Sequence, residues 1–192
     1  LADFQAQAQP GDQRTLTTKI ADLLARMPAS DAKKSEMDME EMAGFGAEGL
    51  EDMVNMLSPA GQGDNTALQY ALSGFSNYAG KPGNEKLREL AVAAYGHGLE
   101  KMADKGNKAF IIRQLEAVGN DAAVGFLSPY LADEQLADPA ARALVRINTA
   151  GARKALLDAL PAASGNTRLT LVEALGDCRA KEAVATISAF LN

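Results

Sequence analysis

One chain says nearly the same thing twice. Residues 114–131 read QLEAVGNDAAVGFLSPYL, and residues 171–191 read LVEALGDCRAKEAVATISAFL. Both give Leu or Val, Glu, Ala, an aliphatic residue, Gly, then Asn or Asp and an Ala-rich apolar stretch. Between them lies LVRINTAGARKALLDAL, with Asn148 where the others carry Gly119 and Gly176. The spacings are 29 and 28 residues, from 119 to 148 to 176. That period is too long for a coiled coil and suits stacked helical hairpins. Gly and Asn tolerate the left-handed backbone that closes a helix. Each unit is therefore predicted to be helix, sharp stop, helix.

The apolar spacing agrees. Leu169, Leu171, Val172 and Leu175 precede the last stop, and Val184, Ile187 and Leu191 follow it at helical intervals. The middle unit presents Ala155, Leu156, Ala159 and Leu160, and the earlier one Val124, Leu127 and Leu131. Pro129 should kink or restart the helix it falls in. Upstream the echo loosens. MAGFGAEGLEDMVNML stops at Gly46 and continues with Leu50, Met53, Val54 and Leu57. Residues 66–103 read as an enlarged unit around the turn GKPGN. Before them, Leu16, Ile20, Leu23, Leu24 and Met27 form one face of a leading helix that Pro28 follows.

The expected fold is all-α: an α-α superhelix of about five stacked antiparallel helix pairs preceded by one helix, roughly eleven helices in all. Residues 1–12 are expected to be a flexible leader. Residues 13–192 are expected to form one domain, irregular over 13–106 and regular over 107–192. Composition fits. Trp is absent, and Ala, Leu, Val, Ile and Met must build the core. Ala and Leu are strong helix formers, and few segments alternate like strands. No apolar run approaches a membrane span. The net charge of −6 opposes a generic phosphate-backbone binder. Residues 138–192 carry +2 and the rest −8, and ordinary solvated helix faces explain that split.

The units resemble HEAT-like repeats, of the degenerate bacterial and phycobilisome-lyase kind. LADPAARALVRI (136–147) and LVEALGDCRAKEAVATISAFL carry the likeness, which is best over 107–192. The first has the HEAT opening of Asp-Pro, then Arg, then an apolar helix. The second has Gly-Asp followed by Ala-Val-x-x-Ile. The resemblance implies that Asp138 and Arg142 tie neighbouring units together, with Asn107 and Asn166 in place of the Asp elsewhere. It also implies a non-catalytic scaffold, an accessory module of a larger bacterial protein.

Motifs that could carry chemistry read more simply as structure. GFGAEG (44–49) matches a dinucleotide pattern, but a Met/Glu-rich helical stretch precedes it where that chemistry needs a strand. GKPG lacks the Walker spacing. Met37, Met39, Met42, Met53 and Met56 could bind copper(I), yet Met42, Met53 and Met56 fall near helical spacing with Leu50 and Leu57, which favours core. His97 is the one histidine, and with Cys178 alone it cannot build the usual zinc site or a triad. Cys178 is expected at the start of the last helix, where a thiol pKa falls, in an inter-helix loop. Asp38, Glu40, Glu41, Glu48, Glu51 and Asp52 are expected on solvated faces. Tyr70 and Ser73 share a helix face and mark a place to look.

No catalytic, cofactor or metal residues are assigned. The functional reading is an interaction scaffold that holds a protein or peptide on a concave face lined by the second helix of each pair. A partner domain in the same chain is a further possibility. The alternatives are a lyase-type helical-repeat enzyme or small-ligand domain, and nucleic-acid binding through Arg142, Arg146, Arg153, Lys154, Arg168, Arg179 and Lys181. The Ala/Gln-rich opening leans weakly toward an exported bacterial protein. The uncharged last helix suggests that more chain follows, or that this end meets another subunit.

Overall fold

The computed structural model describes Asp12 and residues 14–189. The expected leader over 1–12 thus lies outside the described residues except for Asp12, as does Leu191. Among the described residues there are eleven α-helices and no strand. They are α1 (Leu16–Leu24), α2 (Ala32–Ala43), α3 (Gly46–Asn55), α4 (Thr66–Ala79), α5 (Glu85–Lys101), α6 (Lys105–Val118), α7 (Val124–Leu127), α8 (Ala137–Ile147), α9 (Ala150–Ala159), α10 (Gly165–Asp177) and α11 (Val184–Ala189).

Side chains set many of the helix starts. Thr15, Asp31, Asp104 and Thr149 accept a hydrogen bond from the backbone N–H three residues on, at 3.2, 2.9, 2.8 and 3.1 Å. Each satisfies a donor that the first turn leaves open. Pro129 ends α7 as expected, and the chain continues as the 3-10 turn Ser128–Ala132.

Two runs of helix contacts organise the packing. The first helices of the pairs touch in order, α2 to α4, α4 to α6, α6 to α8 and α8 to α10. The second helices do the same from α3 through α5 and α7 to α9. The leading helix α1 packs on α3 and α4. One hydrophobic cluster runs through all of this from Ile20 to Ala183. Leu, Ala, Met and Ile make up most of it, since short aliphatic side chains let helices lie close.

The stops differ from expectation in two of four places. Gly46 (φ 67°) and Asn148 (φ 46°) are left-handed, as predicted. Gly119 does end α6, but with φ −59° and ψ 146°. Its glycine is required by space instead: a Cβ there would sit 2.4 Å from the Leu115 carbonyl oxygen and 2.9 Å from Ile147 Cδ1. Gly176 is no stop at all and lies inside α10. The left-handed residue that closes α10 is Arg179 (φ 51°), and the Ala180 N–H bonds back to the Leu175 carbonyl at 3.0 Å. That is the six-to-one bond of a Schellman ending.

The register is therefore three residues later than the letters suggest. Ile111, Leu115, Val118 and Ala123 are buried, and so are Leu171, Leu175, Cys178 and Ala183, each 60 positions on. A slip of three residues is nearly one helical turn. It keeps the apolar face and so leaves the sequence echo looking sound. Cys178 accordingly caps the end of α10 and does not begin a helix. It is buried, and burial pushes its thiol pKa up. Arg179 holds a backbone conformation that costs a side-chain-bearing residue about 1–2 kcal/mol. Allowing for the extra freedom of glycine in the unfolded chain, Arg179→Gly should stabilise the protein by about 0.5–1 kcal/mol. Chemical denaturation at unchanged m-value checks this.

Candidate functional site

An open groove of about 820 Å³ runs between α2 and α4. Met39 of α2 and Phe110 of α6 line its apolar part. One stripe of α4 supplies the polar part: Thr66, Gln69, Tyr70, Ser73, Asn77 and Tyr78. These positions recur at three- and four-residue steps, so a single helix face presents them together. Ser35 and Glu36 stand on the α2 side. Lys81 lies past the end of α4, with its Nζ 5.4 Å from the centre of the Tyr78 ring.

None of the Gln69, Tyr70, Ser73, Asn77 or Tyr78 side chains makes a hydrogen bond to the described residues. Tyr70 is 40% exposed. Two carboxamides and three hydroxyls thus offer both donors and acceptors along about three turns of helix. An extended backbone, which carries one donor and one acceptor per residue, matches that set. The sequence marked Tyr70 and Ser73. It did not mark Gln69 or Asn77, although their spacing to Tyr70 and Ser73 would have found them.

The groove lies on first helices. The second helices leave less room, because α5 comes close to α3 and α7 through glycines. A Cβ on Gly98 would meet Val54 Cγ1 at 2.4 Å, and one on Gly96 would meet Phe126 at 2.4 Å. Those two glycines flank His97, which is mostly exposed. It makes an edge contact with Phe126 and lies 3.6 Å from Glu51.

A second groove, of about 470 Å³, lies along α6, α8 and α10. Glu116, Asp138, Glu173 and Asp177 line it together with Arg142 and Arg146. Asp138 and Arg142 pair at 3.0 Å within α8, both well exposed. They do not link neighbouring helix pairs, because residues four apart face each other along one helix. Other residues make those links. Asn107 Nδ2 donates to the Ser58 carbonyl at 2.9 Å, and Asn65 binds both the N–H and the carbonyl of Ser58. Thr149 donates to Asp121 at 2.5 Å, and Arg153 to Glu182 at 3.2 Å. Of the C-terminal cations, Arg142, Arg153 and Lys154 are thus each engaged by a carboxylate, Lys154 by Asp158.

The acidic residues are not all on solvated faces. Asp38 is buried, and Arg26 reaches over from the end of α1 to hold it at 3.0 Å and Glu41 at 2.5 Å. Glu51 bonds Lys101, which holds its carboxyl below the usual range. Met39, Met42 and Met53 are core, while Met37 and Met56 are exposed. GFGAEG spans the turn from α2 and the first residues of α3, with no strand before it. Among the described residues no group of three or more His, Cys, Asp or Glu side chains could hold a metal ion. No described helix is long and apolar enough to cross a membrane. Comparison with family models, curated proteins and solved structures finds no match to the chain.

Proposed function

We propose that the protein is a short α-α superhelix of HEAT-like units, and that it serves as a non-catalytic scaffold holding an extended protein segment between α2 and α4. The observation that supports this is the unbonded polar and aromatic stripe Gln69–Tyr70–Ser73–Asn77–Tyr78 beside apolar Met39 and Phe110. The amides and hydroxyls pair with a peptide backbone, and Tyr70 supplies rigid contact area at low entropic cost. The module is accessory to a larger bacterial assembly, in line with the sequence resemblance.

Selection of a random-peptide display library on the immobilised protein tests the reading. Enriched peptides are expected to bind the wild type and to lose at least about tenfold in affinity, or 1.4 kcal/mol, to the double variant Tyr70→Ala/Asn77→Ala. Enrichment of peptides that bind the variant equally well would remove the groove from the account. Both positions are outward-facing, so thermal stability should stay within about 0.5 kcal/mol of wild type.

A further inference from the structure

Gly74 sits in the middle of the polar stripe of α4 and lines the same groove. Tyr70, Asn77 and Tyr78 lie three or four residues from it, so they border it on one helix face. Among them Gly74 alone presents no side chain. Glycine is disfavoured inside a helix, so the position calls for a physical reason. At Gly96 and Gly98 that reason is space, because a Cβ would run into Phe126 and the branched Val54 at 2.4 Å. At Gly74 the demand is weaker. A Cβ there would meet only the end of Met39, 3.1 Å from Sδ and 3.3 Å from Cε, and outside α4 no other described atom comes within 4 Å. A thioether is unbranched and adapts by small rotations. The spacing of α2 and α4 therefore does not require glycine.

What Gly74 does provide is a gap in the α4 wall of the groove, directly over Met39. Met39 is 3% exposed and Phe110 8%, so the apolar floor shows little of itself, and the gap is where an apolar group reaches it. The lining carries two charges, Glu36 and Lys81, which cancel, on a chain of net charge −6. A balanced, mostly uncharged lining complements an uncharged segment and gives a strongly charged one no partner.

We propose that Gly74 sets the specificity of the groove: the segment held there is uncharged along this stretch and seats one aliphatic side chain in the gap that Gly74 leaves over Met39. Amides and hydroxyls that pair with a backbone supply affinity without reading sequence, and a side-chain pocket supplies the selection. Successive side chains of an extended segment point to opposite sides, so the residues next to the anchor face away from the floor. The inference rests on the reading of the groove as a peptide site and adds what the peptide carries.

Calorimetric titration of display-enriched peptides into wild type, Gly74→Ala and Tyr70→Ala/Asn77→Ala tests it. The peptides are expected to share one aliphatic position. Replacing that residue by Ala should weaken binding to wild type at least about tenfold, but to Gly74→Ala less than about threefold, since the new methyl already fills the gap and the two changes are coupled. Gly74→Ala itself should cost the enriched peptides at least about tenfold in affinity. Its melting temperature should be no lower than that of wild type, because Ala favours the helix and the end of Met39 yields. A lowered melting temperature would assign the glycine to packing and overturn the inference. So would peptides that lose affinity to Tyr70→Ala/Asn77→Ala yet bind Gly74→Ala as tightly as wild type, or that share no aliphatic position; the groove itself survives those results. Failure to enrich any peptide, or peptides indifferent to Tyr70→Ala/Asn77→Ala, removes the groove and this inference with it.

Discussion

Tyr95→Ala should cost about 3–5 kcal/mol, the largest loss expected from one substitution outside the backbone. Tyr95 is fully buried and joins α5 to α4. Its hydroxyl lies 3.1 Å from the Leu72 carbonyl oxygen and 3.1 Å from Ser76 Oγ, and Ser76 Oγ itself donates to Leu72 at 2.8 Å. Burial drives the phenol pKa up. Removing the ring opens a cavity in a core built of small aliphatic residues, which have little reach to refill it. Tyr95→Phe separates the two contributions. It keeps the volume and leaves the Ser76–Leu72 bond intact, so about 1 kcal/mol is expected. Urea denaturation of the pair measures both. Equal losses for Phe and Ala would mean that the polar contact, not the ring, holds α4 to α5.

Gly98→Ala is the second large effect, and two opposed contributions decide its sign. Inside a helix, Ala is favoured over Gly by about 1 kcal/mol. Against that, the new methyl would sit 2.4 Å from Val54 Cγ1 and 3.0 Å from its Cβ. Val54 is buried and β-branched, so it has no long flexible end to swing aside. Overpacking of this kind costs about 1–3 kcal/mol, and with Cβ itself in the clash the upper half of that range applies. A net loss of about 1–2 kcal/mol is expected, or roughly 3–6 °C in Tm for a chain of this length. Gly98→Leu should lose more. Val54→Ala in the Gly98→Ala background should recover part of the loss, although Val54→Ala alone is destabilising. A double-mutant cycle reads that coupling directly. Additive effects would mean that α3 and α5 are not as close as 2.4 Å implies.

Much of the architecture was legible because helical periodicity is a strong signal. The leading helix, the enlarged unit around GKPGN and the restart at Pro129 all follow from apolar spacing and turn residues. Letter identity does not fix the register. QLEAVG and LVEALG match at Gly119 and Gly176, but burial matches 115 with 175 and 118 with 178. A shift of nearly one turn preserves the face, so periodicity could not detect it. A left-handed Arg179 gives no sequence signal, since glycine or asparagine is the residue such a turn prefers.

Contacts across the chain were harder still. Asp38 looked like one more acid on a charged helix. Its burial depends on Arg26 arriving from the end of α1, which no local pattern encodes. The resemblance implied that Asp138 and Arg142 tie neighbouring units, but their spacing of four makes them partners along α8. The groove followed the same logic. Tyr70 and Ser73 were visible as a shared face, whereas the side on which space opens depends on Gly96 and Gly98 drawing the second helices together.

The most direct measurement is amide NMR of isotope-labelled protein titrated with a peptide enriched by display. Shifts should cluster at Thr66, Gln69, Tyr70, Ser73 and Asn77 on α4 and at Ser35 and Glu36 on α2. Shifts centred on α3 and α5, or on the α8–α10 groove, would contradict the assignment of the binding face.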